Sequence, residues 1–264
     1  MAKLIRSKLN HLLSHWPAST VAACSWLHTQ GYSYALLSQY RKHGWIKSIG
    51  NGAVVRKGDK VDWSGGLYAI QTNLKLPIYV GGKSALMLKG HGHFIPQGKD
   101  WRLFLYGPPN TKMPTWFKKY AWNVELCFIS TNLFSDAPEL CLSTHDMGSY
   151  SIRIASLERA MLELLSLVPQ EQSFEEAKLL MEGLSTLRPQ AVQELLEVCN
   201  SIKAKRLFLF LAEACNHEWI KKINFLTIDL GNGKRVIEKN GVLDSKYNIT
   251  VPKVLKINRN ETKS

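Results

Sequence analysis

The 264-residue chain is 45% hydrophobic, enough for a buried core, and its length exceeds the usual single domain, so two domains are expected. No apolar run reaches the ~18 residues of a membrane span, and the opening MAKLIRSKLNHLLSHWPAST is too broken by charge and His to read as a secretory signal. A formal net charge of +13 is unevenly spread: residues 1–58 carry eight Lys and Arg and no acid, whereas residues 157–218 hold ten acids against six bases. That asymmetry favours a polyanion bound chiefly by the N-terminal part.

The first segment reads as helix, helix, turn, helix, hairpin. Leu4, Ile5, Leu9, Leu12 and Leu13 recur at helical spacing until Trp16-Pro17 stops the helix. Ser19 or Thr20 is the expected cap of a second helix through VAACSWLH, ending at Gly31. Ser33 caps a third, SYALLSQYRKH, which Gly44 terminates. WIKSIGNGAVVRKG then reads as two short strands around Gly50-Asn51-Gly52.

On the third helix Leu36, Leu37 and Tyr40 share one side. The opposite side presents Ser33, Tyr34, Ala35, Ser38, Gln39, Arg41 and Lys42. Small residues allow close approach to base edges, Gln can bond adenine, and Arg or Lys can reach guanine or phosphate. Residues 33–43 are therefore expected to be the recognition helix of a winged helix-turn-helix spanning residues 1–60. The hairpin would be its wing, with Lys47, Arg56 and Lys57 touching the sugar-phosphate backbone. Two-fold operators favour pairwise binding on duplex DNA.

Residues 61–257 are expected to form a larger mixed domain, with strands in 66–153, helices in 155–222, and a hairpin plus final strand in 226–252. Residues 258–264 read as a frayed tail. The overall class is thus α+β. Gly81-Gly82-Lys83-Ser84 resembles a phosphate loop, but the first Gly that such a loop requires falls on Pro77. The reading that fits is a strand, a Gly-Gly turn and a helix capped near Ser84. Trp116, Phe117, Lys118, Lys119 and Tyr120 suit either stacking on nucleic acid or packing in the domain. His91 and His93 lack nearby carboxylates or thiols, so no metal site is expected there.

Four helical stripes run from Ala155 to Cys215, with caps at Ser156, Ser173 and Ser201 and Pro189 in a first turn. Glu158, Glu163, Glu175 and Glu176 read as first-turn or solvated carboxylates. Arg188, Lys203, Lys205 and Arg206 offer either a surface for an anionic partner such as an RNA or salt bridges to the acidic helices. TIDLGNGKRVI reads as a hairpin turning at Gly231-Asn232-Gly233, and KYNITVP as the last strand. Cys24, Cys127, Cys141, Cys199 and Cys215 lack metal-type spacing, which favours reduced, mostly buried thiols in a cytosol.

No carboxylate pair of the Asp/Glu-x-Asp/Glu kind, no G-x-S-x-G and no H-E-x-x-H occurs, so no catalytic residue, metal or cofactor is assigned. The two leading function classes are a DNA-binding regulator and a nucleic-acid-acting enzyme, nucleotidyltransferase-like or nuclease-like, delivered by the basic segment. An RNA-binding adaptor is a third.

The run SWLHTQGYSYALLSQYRKHGWIKSIGNGAVVRKGDKVDWSGGLYAIQ resembles the N-terminal region of AbiEi-type antitoxins of bacterial type IV toxin–antitoxin systems. The likeness continues through LPIYVGGKSALMLKG and FEEAKLLMEGLSTLRPQAVQELLEVCNSIKAKRLFLFLAE to DLGNGKRVI and YNITVP. The resemblance implies a winged-helix N-terminal domain that represses its own operon at repeated promoter sites. It further implies a C-terminal domain with antitoxin activity and a nucleotidyltransferase as the cognate toxin. It supplies no short catalytic motif.

Overall fold

The computed structural model describes residues 2–92 and 101–253, with side chains from Lys8 onward. Leu4 and Ile5 as core residues, His93, and the tail at 258–264 thus lie outside the described side chains or residues. In chain order the helices are α1 (Ala2–His15), α2 (Cys24–Thr29), α3 (Tyr34–Lys42), α4 (Trp63–Thr72), α5 (Gly82–Leu88), α6 (Thr115–Lys119), α7 (Leu157–Ser166), α8 (Phe174–Glu182), α9 (Pro189–Val198) and α10 (Ile202–Ala214). The strands are β1 (Ala22–Ala23), β2 (Ile46–Ser48), β3 (Ala53–Arg56), β4 (Tyr79–Val80), β5 (Arg102–Gly107), β6 (Glu125–Ser130), β7 (Leu142–Asp146), β8 (Ser151–Ala155), β9 (Arg235–Val236), β10 (Val242–Asp244) and β11 (Ile249–Val251). The class is α+β. Two compact units interleave along the chain: residues 1–79, 96–130 and 144–154 form one, and 80–95, 131–143 and 155–264 the other.

The first unit opens with α1-β1-α2-α3-β2-β3, and its small sheet has the order β1-β3-β2. This is a winged helix-turn-helix. Leu9, Leu12 and Trp16 of α1 and its exit pack with Leu27, Leu37, Tyr40, Ile46 and Val54 into one core. Burying each such aliphatic side chain contributes about 1.5–3 kcal/mol. The expected cap at Ser19 or Thr20 is corrected. Residues 21–23 are extended instead, with Ala22 opposite Val54 and Ala23 opposite Ala53. Their backbone donors are taken across the fold, Val21 N–H by the Gly65 carbonyl at 3.1 Å and Ala23 N–H by Asn73 Oδ1 at 3.1 Å. The helix therefore starts only at Cys24. Gly65 permits that approach, since a Cβ there would stand 2.1 Å from the Ser19 carbonyl oxygen.

A five-stranded sheet has the order β6-β5-β4-β8-β7, with β5 and β6 parallel. Leu103, Phe104, Leu105 and Tyr106 are all buried, which accounts for their unbroken apolar run. Trp116 and Phe117 of α6 are buried as well.

In the second unit α7, α8, α9 and α10 match the four apolar stripes. Ser156, Ser173 and Ser201 each accept a backbone N–H at the helix start, and Pro189 occupies the first turn of α9. The expected hairpin at Gly231–Gly233 is corrected. β9 instead runs parallel to β11, and β10 pairs antiparallel with β11. The competing interaction is Arg206, which donates to the carbonyls of Leu230, Gly231, Gly233 and Asn248 at 2.6–3.2 Å. Three of those bonds, to Leu230, Gly231 and Gly233, capture the turn that a hairpin would have used.

Candidate nucleic-acid interface

Ser33 begins α3 by accepting the Leu36 N–H at 3.3 Å, and the helix stops at Gly44 with its φ of +71°. Leu37 and Tyr40 are fully buried, which fixes the rotation of the helix. The other face therefore turns outward. Ser33, Tyr34, Ala35, Ser38, Gln39, Arg41 and Lys42 are all exposed, Tyr34 by 56%. Aromatic contacts brace both ends of this face: His28 stacks on Tyr34 at 4.9 Å and His43 on Trp45 at 5.1 Å. His43 Nδ1 also lies 2.8 Å from the Gln39 carbonyl. Neither histidine is flagged by any sequence spacing, because the stacking joins residues on different elements.

The hairpin follows directly. Trp45 N–H donates to the Tyr40 carbonyl at 2.9 Å and Lys57 N–H to the Trp45 carbonyl at 3.0 Å, fastening the hairpin to the end of α3. Cys24 N–H donates to the Gly52 carbonyl at 2.8 Å, tying the turn to α2. Lys47 and Lys57 are exposed on its flanks. Arg56 is placed differently from its two neighbours in expectation. It is half-buried, donating to Asp59 Oδ2 at 3.2 Å and to the Leu13 carbonyl at 3.1 Å, while Asp59 also accepts the Ser19 N–H at 2.8 Å. Arg56 is thus a strut between α1, β3 and the chain entering α4, and the cationic surface consists of Arg41, Lys42, Lys47 and Lys57.

The second candidate surface does not assemble. Lys205 and Arg206 are each only 3% exposed, because α10 is enclosed on this side and Arg206 is spent on the four carbonyls. Lys203 donates to the carbonyls of Ser166 and Val168, and burial lowers its pKa. Arg188 forms a bidentate pair with Glu158, at 3.0 and 3.1 Å, and adds its backbone N–H at 3.1 Å. Burial pushes the Glu158 carboxyl up, but these bonds together with Ser156 outweigh it and hold the pKa at about 2. Glu158 and Glu163 are therefore buried partners of arginine rather than solvated carboxylates.

The Gly-Gly-Lys-Ser stretch is accounted for by the same unit. α5 starts at Gly82 rather than near Ser84, which is buried within the helix. Its first amide, Gly82 N–H, donates to Glu163 Oε2 at 2.9 Å, and Glu163 in turn accepts from Arg159 at 2.9 Å. Lys83 pairs with Glu176. The protein's own carboxylate thus sits where a phosphate would meet the helix start. Among the described residues no three His, Cys, Asp or Glu side chains converge as a metal site, and no helix is long and apolar enough to cross a membrane.

Two family models match the chain one after the other. Residues 5–97 match the family model described as the N-terminal domain of the AbiEi antitoxin, a transcriptional regulator. Residues 100–252 match the model described as a transcriptional regulator, AbiEi antitoxin, of a type IV toxin–antitoxin system. Among solved structures, the chain is similar in fold to the RV2827C protein from Mycobacterium tuberculosis. The TM-score is 0.58 at 14% identity, covering 97% of this chain and 93% of that one. No curated protein matches at a significant level.

Proposed function

Because the chain belongs to the AbiEi antitoxin family of transcriptional regulators of type IV toxin–antitoxin systems, we propose that it represses its own operon and counteracts a nucleotidyltransferase toxin. In this reading α3 enters the major groove of repeated promoter sites, the β2–β3 hairpin follows the backbone, and two copies occupy each pair of half-sites. The protein works by binding in the cytoplasm, without catalysing a reaction.

The observation that carries the reading is the outward face of α3. A buried Leu37 and Tyr40 turn seven small, polar and cationic residues to solvent, and the first 58 residues contain no acid to repel a phosphate. Arg56 is left out of the surface, since its guanidinium is committed internally.

The test is a gel shift with duplex from upstream of the protein's own reading frame. The double variant Arg41→Ala, Lys42→Ala is expected to lose at least tenfold in affinity, about 1.4 kcal/mol or more. Unchanged affinity refutes the assignment of α3. Co-expression with a toxic nucleotidyltransferase from the same operon tests the antitoxin half, with rescue of growth expected.

A further inference from the structure

A cleft of about 480 Å³ opens between the C-terminal end of α3 and the β2–β3 hairpin. Arg41, Lys47, Arg56 and Lys57 line it, together with the single acid Asp59. Arg56 and Asp59 neutralise one another at 3.2 Å. Arg41, Lys47 and Lys57 form no ion pair among the described residues, so three cationic residues line the cleft without a carboxylate partner, Arg41 also being hydrogen-bonded to the Cys24 thiol. Concave sites of one sign concentrate field lines and attract a counter-charge.

The remaining wall comes from sixty residues further along. Tyr120, at the end of α6, lines the same cleft and is 37% exposed. It stands there because α6 packs beneath the hairpin turn: a Cβ at Gly50 would be 3.2 Å from Trp116 Cβ, and Gly50 itself has a φ of +123°. Trp122, buried and 4.5 Å from the Tyr120 ring by centroid, fixes the tyrosine from behind. Ile46, Ile49, Val55 and Val61 add an apolar part to the lining.

We infer that this cleft seats a backbone phosphodiester of the bound duplex, with Tyr120 completing the seat beside Arg41, Lys47 and Lys57. The inference rests on the DNA reading above and extends its footprint beyond residue 60, to α6. A free phosphate monoester shares the chemistry. The duplex is favoured because the three cations are continuous with Lys42 on α3 and belong to the acid-free segment.

The experiment uses the full chain and its own upstream duplex, with ethylation interference to map phosphates and affinity measured across salt. Tyr120→Ala is expected to lose one phosphate at the edge of the pattern and to bind three- to tenfold more weakly, with the salt slope unchanged, since tyrosine carries no charge. Lys57→Ala is expected to lose that same phosphate and to flatten the slope by about 0.9; being exposed, it also serves should Tyr120→Ala melt early. A wild type that binds while both variants keep the full pattern overturns the seat. So does calorimetry in which inorganic phosphate or adenosine monophosphate binds below millimolar concentration and displaces the duplex, because the cleft is then a small-ligand site. A wild type that ignores its promoter removes the DNA reading itself, and this inference with it.

Discussion

The two exposed wing lysines and the half-buried arginine beside them should separate cleanly in solution. Lys47 and Lys57 make no ion pair among the described residues, so Lys47→Ala, Lys57→Ala is expected to change folding stability by no more than about 0.5 kcal/mol. If each lysine releases one counterion on binding, the slope of log K against log salt falls by about 1.8. Between 50 and 200 mM salt the wild type then loses about 12-fold more affinity than the double variant. Arg56→Ala should do the reverse. It removes the bonds to Asp59 and to the Leu13 carbonyl, costing about 1–3 kcal/mol of stability with the slope untouched. Fluorescence anisotropy on labelled promoter duplex at several salt concentrations measures the slopes, and urea melts measure the stabilities. A reduced slope in Arg56→Ala, with none in the double lysine variant, would refute this division of labour.

Three further outcomes are expected. Leu37→Ala empties a fully buried position beneath α3 and should cost about 2–5 kcal/mol in a urea melt, weakening DNA binding only through loss of folded protein. Arg206→Met should leave the carbonyls of Leu230, Gly231 and Gly233 without the Arg206 donor, while Asn248 keeps the Arg235 N–H at 2.9 Å. At least about 3 kcal/mol should be lost, with hydrogen exchange accelerating first in β9 and β11. The Glu158–Arg188 pair should make stability depend on acid. The folded pKa of Glu158, about 2, lies below its ordinary 4.5, so the contribution is complete above about pH 4.5 and disappears as pH falls towards 2. Because Arg188 is 66% exposed, screening reduces the difference to about 1–2 kcal/mol; Glu158→Gln should remove that part of the pH dependence in urea melts from pH 6 to 3.

Legibility followed the range of the forces involved. The helices α7–α10 were readable because each needs only its own apolar stripe and a serine or proline at its start. The face of α3 was readable for the same reason: Leu37 and Tyr40 sit at a spacing that fixes which residues look outward. β7 falls in the stretch expected to hold strands but gives no signal of its own, since Leu142–Asp146 is a polar, largely exposed edge strand without an alternating apolar pattern. The start of α2 was misplaced because Val21 and Ala23 find their hydrogen-bond partners at Gly65 and Asn73, more than forty residues away.

Local periodicity, capping chemistry and the placement of charge were therefore enough to establish a basic winged helix-turn-helix, its outward helix face and a helical second half. Which charges are available to a partner was decided only by tertiary contacts. Arg56, Lys205 and Arg206 are as basic in sequence as Lys47 and Lys57, yet the first is spent on Asp59 and a carbonyl and the other two are buried in the second unit. Tyr120, far away in sequence, reaches the wing because Trp116 packs under Gly50. A cation's charge is written in its residue type, but whether that charge meets solvent depends on carbonyls and carboxylates that the chain brings to it only when folded.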